Sequence, residues 1–344
     1  RMCAMDESFL PYRVAGHYLA GQLDEHGMDS PLVGIICGSG LSELSKALEG
    51  KTLSINYADI PGFPAHCTVA GHKGEVVFGK LSGIPAMCFR GRFHSYEGHD
   101  MKTVVLPVTV MRCLNVKAVI ITNAAGGLNR EYSVGDVVCV SDHLALPQLA
   151  GKNPLVGPND SELGPRFPPT SNAYNEDLRH AAVTAAKEMK IDFLRSHGTY
   201  CFVSGPMYES KAECRFLHTL GGDCVGMSTV PEIVTAHHCN MQVLCLSLIT
   251  NKVVMEGDEG VAAASHAEVL EAVGNRSIQM QTLVKGIISV LSRDVLGKLP
   301  DLPPVSLHHA NLQHQKKQDL KDTMISYETM AFGAICFAAG TFLT

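Results

Sequence analysis

Leu32-Val33-Gly34-Ile35-Ile36-Cys37 runs into Gly38-Ser39-Gly40-Leu41 and then Ser42-Glu43-Leu44-Ser45-Lys46-Ala47-Leu48. The apolar run reads as a buried strand, the glycines as a turn and the last segment as a helix. Such a turn exposes backbone N–H groups at a helix N-terminus, where they and the dipole attract an anion, and the Ser39 hydroxyl adds a donor. Two nucleotide-loop readings fail here. Glu43 stands where a dinucleotide loop needs its third glycine, and no lysine follows the second glycine in the Walker A frame. The turn therefore suits a small anion.

Outward from this unit the chain keeps alternating strands and helices, which predicts one α/β domain. Residues 75–80 and 84–89 flank a Ser82-Gly83 turn and read as a hairpin. A helix is expected over residues 101–114 despite Pro107, then a buried strand over 117–122 that stops at Asn123-Ala124-Ala125-Gly126-Gly127, where small residues allow close approach to the backbone. A strand over 136–140 follows. Residues 151–169, dense in Gly and Pro, form a long loop of the sort that is more often functional than idle. Beyond it come a helix over 176–189, a strand over 197–203, the turn Ser204-Gly205-Pro206-Met207-Tyr208 and a helix beginning near Glu209. Val225-Gly226-Met227 leads into Ser228-Thr229-Val230-Pro231-Glu232, whose spacing resembles a capping box that presents N–H groups. The last strong strand, 243–249, ends at Thr250-Asn251-Lys252. Polar residues at the ends of buried strands lie where open α/β sheets bind ligands.

The segment Arg92-Phe93-His94-Ser95-Tyr96-Glu97-Gly98 places an arginine, a histidine and a phenol at alternate positions, and on an extended backbone these share a face. Arginine supplies bidentate donors for phosphate or carboxylate and the imidazole adds a hydrogen bond, so the pattern outlines an anion clamp. The formal net charge of −6 argues against a broad nucleic-acid surface. Twelve cysteines are dispersed without a Cys-x-x-Cys pair, which fits a reducing cytosol and does not fit a zinc site. Arg1-Met2-Cys3-Ala4-Met5-Asp6 contains no apolar core of signal-peptide length. Near the other end, Leu299-Pro300-Asp301-Leu302-Pro303-Pro304 reads as an extended linker before a polar stretch and an apolar segment over 330–344, which is shorter than the roughly 17–25 residues that span a bilayer.

Taken in order, Cys37-Gly38-Ser39-Gly40-Leu41, Gly71-His72, Arg92 to Gly98, Thr122 to Leu128, Asn153-Pro154-Leu155-Val156-Gly157-Pro158-Asn159-Asp160, Val225 to Glu232 and Leu248-Ile249-Thr250-Asn251-Lys252 resemble the trimeric purine nucleoside phosphorylases specific for 6-oxopurines. The resemblance runs from about Pro31 to Ser292. It implies a central mixed, twisted sheet flanked by helices in a catalytic domain over 31–297, with a helical N-terminal segment over 1–30 and an extension over 298–344. It implies phosphate among Ser39, His72, Arg92, His94, the Ala124 backbone N–H and Ser228, and ribose held by Tyr96, Met227, His266 and, from a neighbouring subunit, Phe167. For the base it implies Glu209 at N1–H and Asn251 at N7 and O6, in a pocket with Tyr208, Ala125, Gly126, Val225, Thr250 and Val253. Catalysis would fall to Asn251, Glu209 and His94. Phosphate would be a co-substrate, with no cofactor or metal, in a cytoplasmic homotrimer with shared sites and a mobile lid over 255–265. Tyr208 stands where many members carry phenylalanine, and Met207 replaces a small residue.

Other classes fit less well. A methylthioadenosine phosphorylase favours aspartate at the position of Asn251, a nucleoside hydrolase has no need of the phosphate donors, and a noncatalytic binder has no need of Asn251, Glu209 and His94 together. A dehydrogenase fails on the Gly-rich loop.

Overall fold

The structure is a computed structural model that describes residues 10–65, 67–258 and 265–307. The apolar segment at 330–344 and most of the expected lid, 259–264, lie outside the described residues. In chain order the elements are α1 (Pro11–Glu25), β1 (Val33–Ile36), β2 (Glu49–Asn56), β3 (Glu75–Leu81), β4 (Ile84–Arg90), α2 (Met101–Val104), α3 (Leu106–Cys113), β5 (Ala118–Gly127), β6 (Val137–Cys139), β7 (Asp142–Ala145) and α4 (Leu146–Leu149). They continue with α5 (Glu176–Glu188), β8 (Leu194–Arg195), β9 (Thr199–Phe202), α6 (Lys211–Thr219), β10 (Cys224–Gly226), α7 (Val230–His238), β11 (Gln242–Lys252) and α8 (His266–Asp294).

All strands join one mixed sheet of 11 strands. β1 lies between β4 and β5, parallel to both, while β2, β3 and β4 form an antiparallel meander on its far side. β5 is long enough to serve two neighbours: its length pairs with parallel β11, and its last residues pair with antiparallel β10. The central strands are apolar on both faces because both are covered. Alternate residues Ile36, Phe89, Ile121 and Cys245 face the layer of α1, α3 and α7, whereas Ile35, Cys88, Ile120 and Leu244 face α5 and α8. At about 25 cal/mol per Å² of apolar surface removed from water, these two layers supply the main drive for folding.

Three expected helices differ from the structure. After the Gly-rich turn, residues Ser42–Ala47 make a short 3₁₀ helix, since Ser42 Oγ donates to Gly71 O and Ser45 Oγ to Ser42 O, local bonds that compete with an α-helix. The expected helix over 101–114 is broken at Val105 into α2 and α3, because Pro107 has no N–H to continue the ladder. α6 starts at Lys211, with Ser210 and Glu213 forming a reciprocal capping box, so Glu209 precedes the cap and does not sit in a first turn.

The C-terminal stretch read as a linker is extended and lies along the body. Val305 is buried, the Arg112 guanidinium donates to Pro303 O, and Lys117 pairs with Asp301. Arg13 on α1 gathers Asp160, Glu162 and Ser306 O, which ties the first helix, the long loop and this stretch together. Tyr12 also donates to Asp160 and Ser306 N to Glu162, so the tie does not rest on Arg13 alone.

Candidate active site

The C-terminal ends of β1, β4, β5 and β11, with the end of β10, open on one cavity of about 110 Å³. It is lined by Ser39, Arg92, His94, Tyr96, Ala124, Ala125, Gly126, Tyr208, Glu209, Val225, Met227, Ser228, Thr250, Asn251 and His266, and also by Gly38, Asn123, Gly226 and Val269. Strand ends collect these residues because the backbone leaves the sheet there with its polar groups unpaired. Close packing of the loops needs glycine at two places. A Cβ on Gly38 would lie 2.7 Å from Thr122 O, and one on Gly226 would lie 2.3 Å from the Tyr200 hydroxyl.

At one end the donors converge. Arg92 is not in a strand, as alternation suggested; β4 stops at Arg90, and Ser95–Glu97 form a single 3₁₀ turn. The guanidinium is nevertheless buried and fixed, with Nη1 donating to Ser228 Oγ and Thr229 Oγ1 at 2.8 Å each and Nη2 to Thr122 O at 2.6 Å. The two hydroxyls also share a hydrogen bond at 3.0 Å, so one hydroxyl hydrogen of the pair is left for another acceptor. His72 lies behind the cavity wall: its Nε2 is 3.2 Å from Ser39 Oγ, and its ring stacks on His94 with centroids 5.3 Å apart. His72 Nδ1 stands 3.1 Å from Arg92 O and 3.2 Å from the Arg92 N–H, so either ring tautomer has a backbone partner, and Nε2 shares one hydrogen bond with Ser39 Oγ.

Both imidazoles are held neutral. Burial, then the neighbouring His94 ring and Arg92 guanidinium, push His72 down to about 3. Burial also lowers His94, with Glu97 opposing it. Glu97, quoted in the sequence motif without a role, accepts from His94 Nδ1 and from the His94 backbone N–H at 2.9 Å each. Against burial, its hydrogen bonds from His94 and Thr68 bring its carboxyl down to about 2, so it stays ionised and fixes the ring. The signal was present as a histidine three residues before a glutamate, the spacing of a capping box.

Ser228 is presented by an unusual turn. Thr229 has φ +80° and ψ −52°, and Val230 N donates to Ser228 O at 2.9 Å, which together define a positive-φ γ-turn. This conformation is strained for a β-branched residue, and such strain concentrates at functional sites. The expected capping box is absent: Thr229 makes no side-chain cap, and Glu232 points inward beside Arg92, 1 % exposed.

At the other end the groups are fewer and more open. Asn251 follows a register shift in β11 between Ile249 and Asn251, a bulge that re-aims the side chain. Thr250 Oγ1 donates to Asn251 Oδ1 at 3.2 Å, which leaves the amide N–H₂ for the cavity. Burial raises the Glu209 carboxyl above its ordinary value. Tyr96 stacks on His94 at 4.5 Å, and a Cβ on Gly205 would lie 2.4 Å from Met227 Sδ. Tyr208 is 42 % exposed and His266 opens α8. Val253 does not line the cavity; it is buried behind Gly126, where a Cβ would meet its Cγ1 at 2.9 Å. Phe167 also lies outside, 86 % exposed, with the Arg166 guanidinium 5.3 Å over its ring.

This arrangement has counterparts among known proteins. The model of the phosphorylase superfamily matches residues 32–289. The purine nucleoside phosphorylase of Mus musculus is 45 % identical over 80 % of this chain and 93 % of its own length. The chain belongs to the purine nucleoside phosphorylases. A crystal structure of the Schistosoma mansoni purine nucleoside phosphorylase in complex with inosine superposes with a TM-score of 0.76 at 40 % identity, covering 86 % of this chain and 100 % of that one. A Schistosoma purine nucleoside phosphorylase in complex with hypoxanthine gives a TM-score of 0.76 at 40 % identity, over 84 % and 97 % of the two chains. The mixed sheet with helices on both faces is thus the phosphorylase fold. No helix among the described residues is long and apolar enough to cross a membrane.

Proposed function

We propose that the protein catalyses the reversible phosphorolysis of inosine, guanosine and their 2′-deoxy forms, yielding hypoxanthine or guanine and (deoxy)ribose 1-phosphate, a pentosyl transfer of purine salvage. The observation that carries this reading is one cavity with serine and arginine donors and the acceptor Nε2 of neutral His94 at one end, and an aimed amide with a half-buried carboxyl at the other. Ser39, Arg92, Ser228 and the Ala124 N–H donate to orthophosphate, His94 Nε2 accepts from its P–OH, and His72 acts through Ser39. One phosphate oxygen forms a bond to C1′ as the C1′–N9 bond breaks and its electron pair passes into the purine. Charge then grows on the imidazole ring of the base, where a donor strengthens as the transition state is approached. The Asn251 amide supplies that donor at N7 and accommodates the carbonyl at position 6, and Glu209 receives N1–H. Tyr96, Met227 and His266 place the ribose. No covalent enzyme intermediate is needed.

Phe167 supports a shared site. A phenylalanine so exposed, on a loop anchored by Asp160 and Glu162 to α1, fits a contact with a second copy of the chain, and a homotrimer in the cytoplasm is the assembly we favour. The decisive measurement is hypoxanthine release from inosine with and without phosphate. Cleavage is expected to require phosphate and to yield ribose 1-phosphate; free ribose formed at an equal rate without phosphate would overturn the reading.

A further inference from the structure

Glu232 is 1 % exposed, and neither carboxylate oxygen has a hydrogen-bond partner among the described residues. A buried carboxylate without partners is costly, so its retention asks for a reason. The adjacent charge is Arg92, whose Nε stands 3.6 Å from Glu232 Oε1. Nε is the guanidinium nitrogen that Ser228, Thr229 and Thr122 leave unused. Arg92 lines the main cavity and also a smaller one of about 10 Å³, and Glu232 lines only the smaller. The arginine therefore stands between the carboxylate and the anion end.

The remaining surroundings of Glu232 contribute little charge. The segment after β4 brings His94, kept neutral by burial, and the turn after β2 and strand β11 bring Tyr57 and Cys245, both pushed up by burial and so protonated. α2 and α3 bring Lys102 and Arg112, which act on His238 and Cys239 at the far end of α7. α7 itself adds the hydroxyls of Thr229 and Thr235.

We propose that Glu232 is a positioning residue of the anion site, acting through Arg92: ionised, it balances and orients the guanidinium in the free protein, and it takes up a proton when a dianion binds on the other side of that arginine. The phosphate identity of the dianion rests on the function proposed above. Two anionic groups flanking one guanidinium in a low-dielectric interior repel each other, and the group that can shed its charge does so. Burial, opposed by Arg92, places the Glu232 carboxyl at about 7, so the proton is available near neutral pH. The tightly held Glu97 cannot take this part, because its carboxyl lies at about 2.

Sulfate is the probe, since it remains a dianion throughout neutral pH. Infrared difference spectra on sulfate binding are expected to show the C=O stretch of a newly protonated carboxylic acid in the wild-type protein and in Glu209→Gln, and to lose it in Glu232→Gln. The ratio of sulfate Kd, wild type over Glu232→Gln, is expected to rise about three- to tenfold from pH 6 to pH 8, as the carboxylate that must be protonated becomes ionised. Glu232→Asp should follow the wild type. Absence of the band from both the wild type and Glu209→Gln, failure of sulfate to bind, or a ratio that stays flat would overturn the proposal. If Glu232→Gln does not fold, the first two spectra decide alone. Phosphate-independent cleavage of inosine by the wild type would remove the phosphorolysis reading while leaving anion-linked protonation at Arg92 standing.

Discussion

The two ends of the cavity are built on different terms. At the anion end Arg92 and His94 are buried, each donor is braced by a second residue, and a strained turn presents Ser228. At the end proposed for base and ribose Asn251 has one brace, Tyr208 is 42 % exposed, and His266 stands at the first position of a helix. The first end has the preorganisation that a small, highly charged ligand needs to offset its desolvation; the second has the openness that suits a larger, mostly apolar ligand bringing its own contact surface. Rigidity is concentrated where the charge is.

The largest effect is expected from changing what the open end reads. Asn251→Asp replaces the donor facing N7 and position 6 with a carboxylate that accepts from an amino group but cannot donate when ionised. The ratio of kcat/KM for inosine over adenosine should fall by about 10- to 100-fold, the equivalent of one or two buried hydrogen bonds. An unchanged ratio in the two proteins would mean that Asn251 does not distinguish oxygen from nitrogen at position 6.

A smaller effect should follow from loosening the rigid end. Glu97 has its folded-state carboxyl depressed to about 2 from an ordinary value of 4.5, so its stabilising contribution is fully present above about pH 4.5 and is lost as pH falls toward 2. Glu97→Gln should therefore be less stable than the wild type at neutral pH, by about 1–3 kcal/mol, and the gap should close in acid. Denaturant titrations of both proteins at pH 7 and at pH 3 measure this. The same substitution should raise the phosphate KM more than the inosine KM, because it frees the His94 ring. A gap independent of pH would show that the pair does not set the stability of this end.

The smallest effect is reserved for the edge of the open end. Phe167→Ala should raise the inosine KM by about three- to tenfold, the worth of one aromatic contact, with the oligomer intact. Mixing it with an Asn251→Ala protein should produce hybrid oligomers in which some sites regain both residues. Hybrids with no restored activity, or an active monomer, would count against a site shared between subunits.

Much of this was legible in residue order. The continuous apolar runs of β1, β5 and β11, the hairpin across Ser82-Gly83 and the polar strand ends follow from local chemistry, and the motifs at Ser39, Arg92, Ser228 and Asn251 meet in one cavity. Where reading failed, a second contact had decided. Ser42 and Ser45 found nearer partners than a helix ladder, Ser210 capped the helix that was expected to begin near Glu209 and so left Glu209 outside it, and Val253 packed behind Gly126 instead of facing the cavity. Glu232 is the clearest case: three residues beyond Thr229 it has the spacing of a cap, yet it turns inward to Arg92.

By itself the sequence determined which segments are apolar on both faces, where glycine allows the chain to turn, and which side chains can hold an anion or address a purine, since these depend on residue type and near neighbours. Only the tertiary structure decided that Glu97 fixes His94, that Arg92 is shared between hydroxyls and a buried carboxylate, and that residues 299–307 lie along Arg13 and Arg112. The reason is physical. Burial changes the energy of a charged group by more than its type does, and burial is a property of what the rest of the chain packs around it.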